Sequence, residues 1–425
     1  MKRLRVLLIL SAFWVGLAPQ TLCAQEAEIW ETLREHLTVT LRYQNFSYLN
    51  DSERDPERFR NEGFLRIKYV QTFWDALTLV AIPTVQFDDA DLHRGVMDEI
   101  TDRSERRKIL DIEEYYLEYV SRVFDVRVGK QIYNWGKADG INPSDNLSTD
   151  DLTDLVDDRD IGIFSTRVNL FLGSNWILET VWSPFFTPLR LAPPGTRFSF
   201  IPEGSPIRLN ARELPETSLA NAQYALRLLG FVGPVDLSLI WYDGINDAPV
   251  SRRETDGSVT PVFNKISVLG ANVAFNTGKI GWRGEVGYRM TDGGRADDVV
   301  QYVIGADRTF ADVLITHDLY VLLQYVGLEV TSKARDQQGG GISQAFTNTA
   351  IGLFRYEFSD DTELELRATV NLDEWDHLLE VQFSHKFSDA LELVIGGTVL
   401  GGDADTFFGQ FDENDRVFLR LTYTL

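Results

Sequence analysis

The side chains in this sequence best able to do chemistry are carboxylates. Between Lys137 and Asp160 stand eight aspartates, Asp139, Asp145, Asp150, Asp151, Asp154, Asp157, Asp158 and Asp160, against two bases, Lys137 and Arg159. A run of this composition has no apolar core of its own and must be solvated or met by counter-charge from elsewhere. Hydrolysis is a poor fit to the remaining groups. A hydrolase needs a nucleophile, a base and an orienting group within hydrogen-bond reach. None of the five histidines, His36, His93, His317, His377 and His385, has a serine two residues away on its own strand face. No two of them are spaced as zinc ligands, and neither Asp403-Ala-Asp405 nor Asp412-Glu-Asn-Asp415 has a complete calcium-loop spacing. The expectation is a protein that is not an enzyme and holds no metal and no cofactor.

The N-terminus carries Lys2, Arg3 and Arg5, an apolar stretch from Val6 to Leu17 and the small residue Ala24 before a polar sequence, the pattern of a secretory signal peptide cleaved after Ala24. Cys23, the one cysteine, leaves with it, so disulfides and thiolate chemistry are not expected. What remains has 38 Lys and Arg against 64 Asp and Glu, a net charge near −26. Such a charge argues against nucleic acid or bare anionic lipid as a partner.

The elements that would position the carboxylates are strands. Val126 and Val128 alternate with Asp125, Arg127 and Gln131, and Phe164, Val168 and Leu170 with Ser165, Arg167 and Asn169. This is the period of a strand between two environments. Eighteen such segments are predicted, with sixteen as the alternative count. They cover 37–46, 63–73, 76–87, 109–120, 124–135, 161–172, 175–182, 219–229, 235–242, 264–275, 279–290, 299–309, 319–328, 348–358, 363–372, 378–387, 391–400 and 415–425. Every second connection is short, as at Trp74-Asp75, Gly173-Ser174 and Phe231 to Pro234, and those between are mostly long. Short turns on one side and long loops on the other are expected of a chain that zigzags through a bilayer.

The fold expected is therefore all-β, a transmembrane antiparallel up-and-down barrel over residues 37–425, after a signal peptide at 1–24 and a short periplasmic segment at 25–36. Phe73, Trp135, Trp176, Trp182, Trp241, Phe387 and Tyr423 fall near strand ends, where interfacial aromatics lie.

A barrel this wide leaves a lumen that wall side chains cannot fill. The polar strand faces predict that it is lined by Arg42, Arg66, Lys68, Arg127, Arg167, Arg227, Arg283, Arg289, Arg355, Arg367 and Arg420. They place the acids Glu114, Glu118, Glu179, Glu285, Glu357, Glu363 and Glu365 on the same face. These charges either pair in ladders across neighbouring strands or form selective rings. Asp150, Asp151, Asp154, Asp157 and Asp158 are the candidates for a constriction, if their loop folds inward; the alternative is a solvated external loop. The proline-rich stretch 183–218 is a second candidate for a plug or lid.

Two stretches resemble known families. The alternating last strand is similar to the C-terminal recognition strand of Gram-negative outer-membrane proteins, though it ends in Leu425 where Phe is usual. Arg127-Val-Gly129-Lys-Gln131, Trp135-Gly136 and Gly140-Ile-Asn142-Pro143-Ser-Asp145 resemble the signature of a poorly characterised family of large outer-membrane barrels, distantly like alginate-export and substrate-specific porin barrels. That resemblance implies a channel in the outer membrane of a Gram-negative bacterium. Its expected partners are lipid and lipopolysaccharide, the barrel-assembly machinery acting on the last strand, and a hydrophilic solute that passes passively. An export conduit for an acidic polysaccharide, or a closed barrel in lipid handling or envelope structure, are the other readings.

Overall fold

The structure is a computed structural model that describes residues 36–96, 100–157, 159–201, 206–313, 317–334 and 345–425. The expected signal peptide, all but His36 of the segment after it, and Asp158 lie outside these residues. Eighteen strands form one antiparallel wall. In chain order they begin with β1 (Leu37–Tyr48), β2 (Phe59–Phe73), β3 (Leu77–Asp88), β4 (Leu110–Val120) and β5 (Phe124–Gln131). After two short strands inside the lumen, β6 (Thr149–Leu152) and β7 (Arg159–Ile161), come β8 (Ile163–Leu172) and β9 (Trp176–Ser183). A third lumenal strand, β10 (Arg190–Leu191), precedes β11 (Gln223–Val232) and β12 (Val235–Ile245). A loop hairpin of β13 (Val250–Arg253) and β14 (Val259–Val262) leads to β15 (Lys265–Thr277), β16 (Ile280–Thr291), β17 (Asp298–Val313) and β18 (His317–Ser332). The wall ends with β19 (Asn348–Ser359), β20 (Thr362–Asn371), β21 (His377–Ser388), β22 (Leu391–Gly401) and β23 (Arg416–Thr424). Each wall strand pairs with the next, and β1 pairs with β23 from Thr40↔Thr424 to Tyr48↔Arg416, which closes the barrel. All eighteen expected wall segments are present.

Closure follows from the side-chain pattern. In β23, Val417, Leu419, Leu421 and Tyr423 are exposed on the outside while Arg416, Phe418 and Arg420 turn inward. Leu239, Ile304 and Leu323 are exposed in the same way on other strands. An apolar band running round the whole wall is covered by lipid and not by water. The aromatics Trp74, Phe231 and Phe387 are exposed at the end where the connections are short. Tight turns there use backbone that suits a two-residue hairpin: Trp74 and Asp75 have φ of 50° and 57°.

The expected strand 219–229 runs instead over Gln223–Val232 after a 3-10 turn at Leu219–Asn221, and two other departures bear on the interior. β5 stops at Gln131 instead of continuing to 135. The next amides are taken by side chains and not by a neighbouring strand: Ile132 N donates to Glu114 Oε1 (2.9 Å), Tyr133 N to Ser148 Oγ (2.7 Å) and Trp135 N to Asp145 Oδ2 (2.7 Å). Trp135 is thereby drawn inside the barrel, 2 % exposed, and is not an interfacial aromatic. In β4 the pairing slips, from Ala81↔Tyr115 to Pro83↔Ile112, so that Glu113 and Glu114 together face Ile82. Pro83 has no amide to give the ladder, and the bulge turns both glutamates toward the lumen.

Candidate functional site

Residues 132–162 leave the wall and cross its interior. The contacts are with strands all round the barrel, which a segment can make only from within. Lys137 Nζ bonds Asp236 of β12 (2.5 Å), Asp139 lies 3.7 Å from Arg367 of β20, and Asp157 lies 3.3 Å from Arg420 of β23. The wall residue Glu285 of β16 holds the start of the segment. Its carboxylate accepts from the amides of Lys137 and Ala138 and from Ser144 Oγ (2.8 Å). Asn272 of β15 donates to Trp135 O at 2.9 Å.

The wall is shaped to receive the segment. A Cβ on Gly287 would meet Pro143 O at 2.2 Å, and one on Gly136 would meet the Asn142 side chain at 2.0 Å. Pro143 O is backbone and cannot give way, so glycine is required at 287, whereas at Gly136, within the segment itself, the Asn142 side chain would have to shift. Asp145 accepts from the amides of Trp135 and Leu147, and burial pushes its carboxyl up to about 6 against those bonds. Tyr133, Trp135 and Leu147 pack with Ile163, Val181, Ile240 and Val268 of the wall in one apolar cluster. The residues of the Trp-Gly and Asn-Pro stretches are thus the seat of the crossing segment.

Farther along, the aspartates meet arginines. Asp154 lies between Arg60 of β2 and Arg416 of β23; Arg416 Nη1 reaches Oδ2 at 2.5 Å and Nη2 reaches Oδ1 at 3.1 Å. Asp151 takes Arg107 Nε (3.0 Å) and Arg190 Nη1 (2.5 Å). β10 pairs with β6 and β6 with β7, so the proline-rich stretch and the acidic segment share a small lumenal sheet. Asp150 stands on β6 among the lining of a lumenal cavity.

Burial opposes ionisation of Asp154 and Asp151, but Arg416 with Arg60, and Arg107 with Arg190, outweigh it and hold both carboxyls well below the usual carboxylate range. The stabilisation is present above the unfolded value of about 3.9 and is lost only as pH falls through the lower folded value. Lowering the pH from 7 to 4.5 should therefore leave the segment docked, with protease cleavage within 137–160 no faster at 4.5. Release near pH 5 would contradict the pairing.

The wall charges are mostly spent on one another. Arg127 pairs with Glu118 (2.8 Å), Arg167 with Glu118 and Asp125, Arg227 with Glu179 (2.8 Å), Arg283 with Asp307 (2.9 Å) and Arg355 with Glu365 (2.8 Å). Arg227 also lies over the Trp135 ring at 4.9 Å. Arg66 pairs with Glu113, while Glu114 caps Ile132 instead. Arg42 stacks on Phe64, and Lys68 is exposed toward the turn end. Gln131 is fully buried and donates to Ser165 O, and Gly129 takes a φ of 142°.

Sequence reasoning missed Arg60, Arg107, Arg190 and Arg416. Arg60 and Arg416 share the inward faces of Arg66 and Arg420 at even spacing: Arg416 lies within the expected strand 415–425, and Arg60 is reached by extending 63–73 three residues; Arg107 and Arg190 carry no such signal. The interior is also less polar than the strand faces predict. Val303, Val326 and Ile351 point inward and are covered by Ala138, Ile141 and Phe346.

A family model described as a protein of unknown function, DUF1302, matches residues 43–424. The chain belongs to the DUF1302 family. No curated protein sequence matches it. Among solved structures, the crystal structure of Pseudomonas aeruginosa OpdK with vanillate is similar at a TM-score of 0.50 and 12% identity, covering 92% of this chain and 99% of that one. A triple mutant of the Rhodopseudomonas blastica porin has a TM-score of 0.44 at 10% identity, with the same coverage. What this DUF1302 chain shares with OpdK is its porin-type fold, a single closed barrel.

Proposed function

We propose that this protein is a channel of the Gram-negative outer membrane, through which a small water-soluble solute passes down its gradient past the constriction built by residues 137–160. The observation that carries this reading is a charged segment held inside a barrel wide enough to conduct, with Asp154 clamped by Arg60 and Arg416 and Asp151 by Arg107 and Arg190. A closely spaced set of carboxylates and guanidiniums gives a transverse field through which a solute must move. Export of an acidic polysaccharide would call for a cationic track, and the wall arginines are instead matched by carboxylates. The lipid-facing band fits outer-membrane lipid and lipopolysaccharide, and the alternating β23 fits the assembly machinery. In this chain the Trp-Gly and Asn-Pro residues seat the constriction on the wall.

Planar-bilayer recording tests this. Purified, heat-modifiable protein should give discrete conductance steps, with a reversal potential in a salt gradient that shifts when Asp150, Asp151, Asp154, Asp157 and Asp158 are neutralised together. A folded barrel that gives no steps would favour the closed, envelope-structural reading.

A further inference from the structure

The crossing segment divides the lumen unequally. On the side of β2 to β5 it leaves a narrow, strongly charged space lined by Arg107, Lys130, Asp151 and Arg190. On the side of β16, β17 and β19 to β21 it leaves a cavity of about 380 Å³ with a different character. Phe346 and Phe407 stand in its lining with Ile141, Leu155, Val156 and Ile351. Phe346 and Phe407 meet edge to face, with centroids 5.5 Å apart. A passage meant only for water and ions has no use for this surface, because apolar walls raise the cost of wetting a constriction. A volume of this size, lined by an apolar surface on one part and polar groups on another, is that of a small-molecule site.

One of those polar groups is Arg289 of β16. It lines the cavity and, among the described residues, its guanidinium has neither a hydrogen bond nor an ion pair, unlike the clamp arginines Arg60, Arg107, Arg190 and Arg416. The carboxylate that faces it is Asp247, which accepts from Thr149 Oγ1 at 2.8 Å and whose carboxyl burial pushes up. Asp247 attracts Arg289 but makes no ion pair with it, unlike Asp154 with Arg416. The second cation of the cavity, Arg367, is engaged with Asp139 at 3.7 Å and Glu365 at 3.9 Å. A partly desolvated guanidinium beside an apolar wall, left without a partner, is costly unless an anion completes it.

We propose that this cavity is a binding site for a small amphipathic monoanion, with its anionic group on Arg289 and its apolar or aromatic body against Phe346, Phe407 and the aliphatic residues of the crossing segment. This rests on the channel reading and narrows its solute from any small polar molecule to one with an apolar body and a single negative charge. The acids around the cavity, Asp139, Asp145, Asp150, Asp247 and Glu380, repel a second negative charge on the ligand and disfavour inorganic anions, which have no apolar surface to offset that repulsion.

The probe is 3-phenylpropionate, compared with its uncharged amide and with 3-phenylpropylamine. Binding to the folded protein in detergent is read by calorimetry, and passage by block of the single-channel current. The carboxylate should bind at least about tenfold more tightly than the amide or the amine. Arg289→Gln should weaken the carboxylate about tenfold and leave the amide unchanged, with Arg289→Lys between them, while heat-modifiable migration shows each variant folded. Phe407→Ala should weaken carboxylate and amide alike. Equal affinity for carboxylate and amine, or no effect of Arg289→Gln on the carboxylate, would overturn the site. Selective binding without any conductance would instead overturn the channel and leave the site standing, and conductance without selective binding the reverse.

Discussion

Replacing Asp154 by alanine is expected to open the channel without unfolding the barrel. Arg416, 1 % exposed, has Asp154 as its ion partner, and Arg60 keeps Glu62 at 3.2 Å and the Tyr48 hydroxyl at 3.2 Å once Asp154 is gone. Breaking a buried pair from one side leaves an uncompensated charge and costs on the order of 3–5 kcal/mol. That cost falls on the docked state of the crossing segment, because the strand pairings of the wall do not run through Asp154. The two arginines can regain solvent only if the segment moves away and water enters. The measurable results are a larger single-channel conductance and new protease cleavage between 149 and 161, with heat-modifiable migration unchanged. Conductance equal to that of the native chain would show that the segment is not what limits flow.

The second large effect separates steric closure from charge. Gly287→Val changes no charge, and valine suits an extended strand, yet its Cβ would lie 2.2 Å from the carbonyl oxygen of Pro143 and 2.9 Å from its carbonyl carbon. Both atoms are backbone, so no rotamer relieves the clash; the segment must lift from β16. Lifting it strains the bond from Ser144 Oγ to Glu285, itself one of three donors on that carboxylate. Hydrogen bonds to a charged group contribute about 1.5–3 kcal/mol each, so losing even one shifts the docking equilibrium by tenfold or more. Conductance should rise as in Asp154→Ala, but the ion preference should stay nearer the native value because the arginine–aspartate clamp keeps its charges. A variant that keeps native conductance would place the flow path on the far side of the segment, between it and β2 to β5.

The two substitutions act on opposite ends of one structure. Glu285, Gly287 and Asn272 hold its foot, and Arg60, Arg416 and Arg420 hold its far end. The residues of the Trp-Gly and Asn-Pro stretches belong to the foot, which explains why they sit together on the chain. They turn β5 inward and seat the segment on the wall.

How much of this was legible beforehand differs between wall and interior. Period-two alternation and the alternation of short turns with long loops place all eighteen wall strands, because each strand meets lipid on one side and lumen on the other along its whole length. That signal is local and repeats in every segment. The bulge at Glu113–Glu114 escaped it, since a single inserted residue shifts the face of everything beyond it. So did the early exit of β5, where Tyr133 and Trp135 continue the alternation but spend their amides on Ser148 and Asp145.

For the aspartates between Lys137 and Asp160, the sequence by itself determined that counter-charge or water was required, and nothing more. Solvated loop and lumenal clamp satisfy that requirement equally on paper. The tertiary structure decided between them by bringing Asp154 to Arg416, 262 residues away, and Asp151 to Arg107 and Arg190. Pairings at such separation leave no local pattern, since they depend on which loops the closed barrel gathers at one end. The apolar cavity beside Arg289 is of the same kind. Its aromatic residues come from loops and its cation from a strand, and only the folded wall sets them around one space.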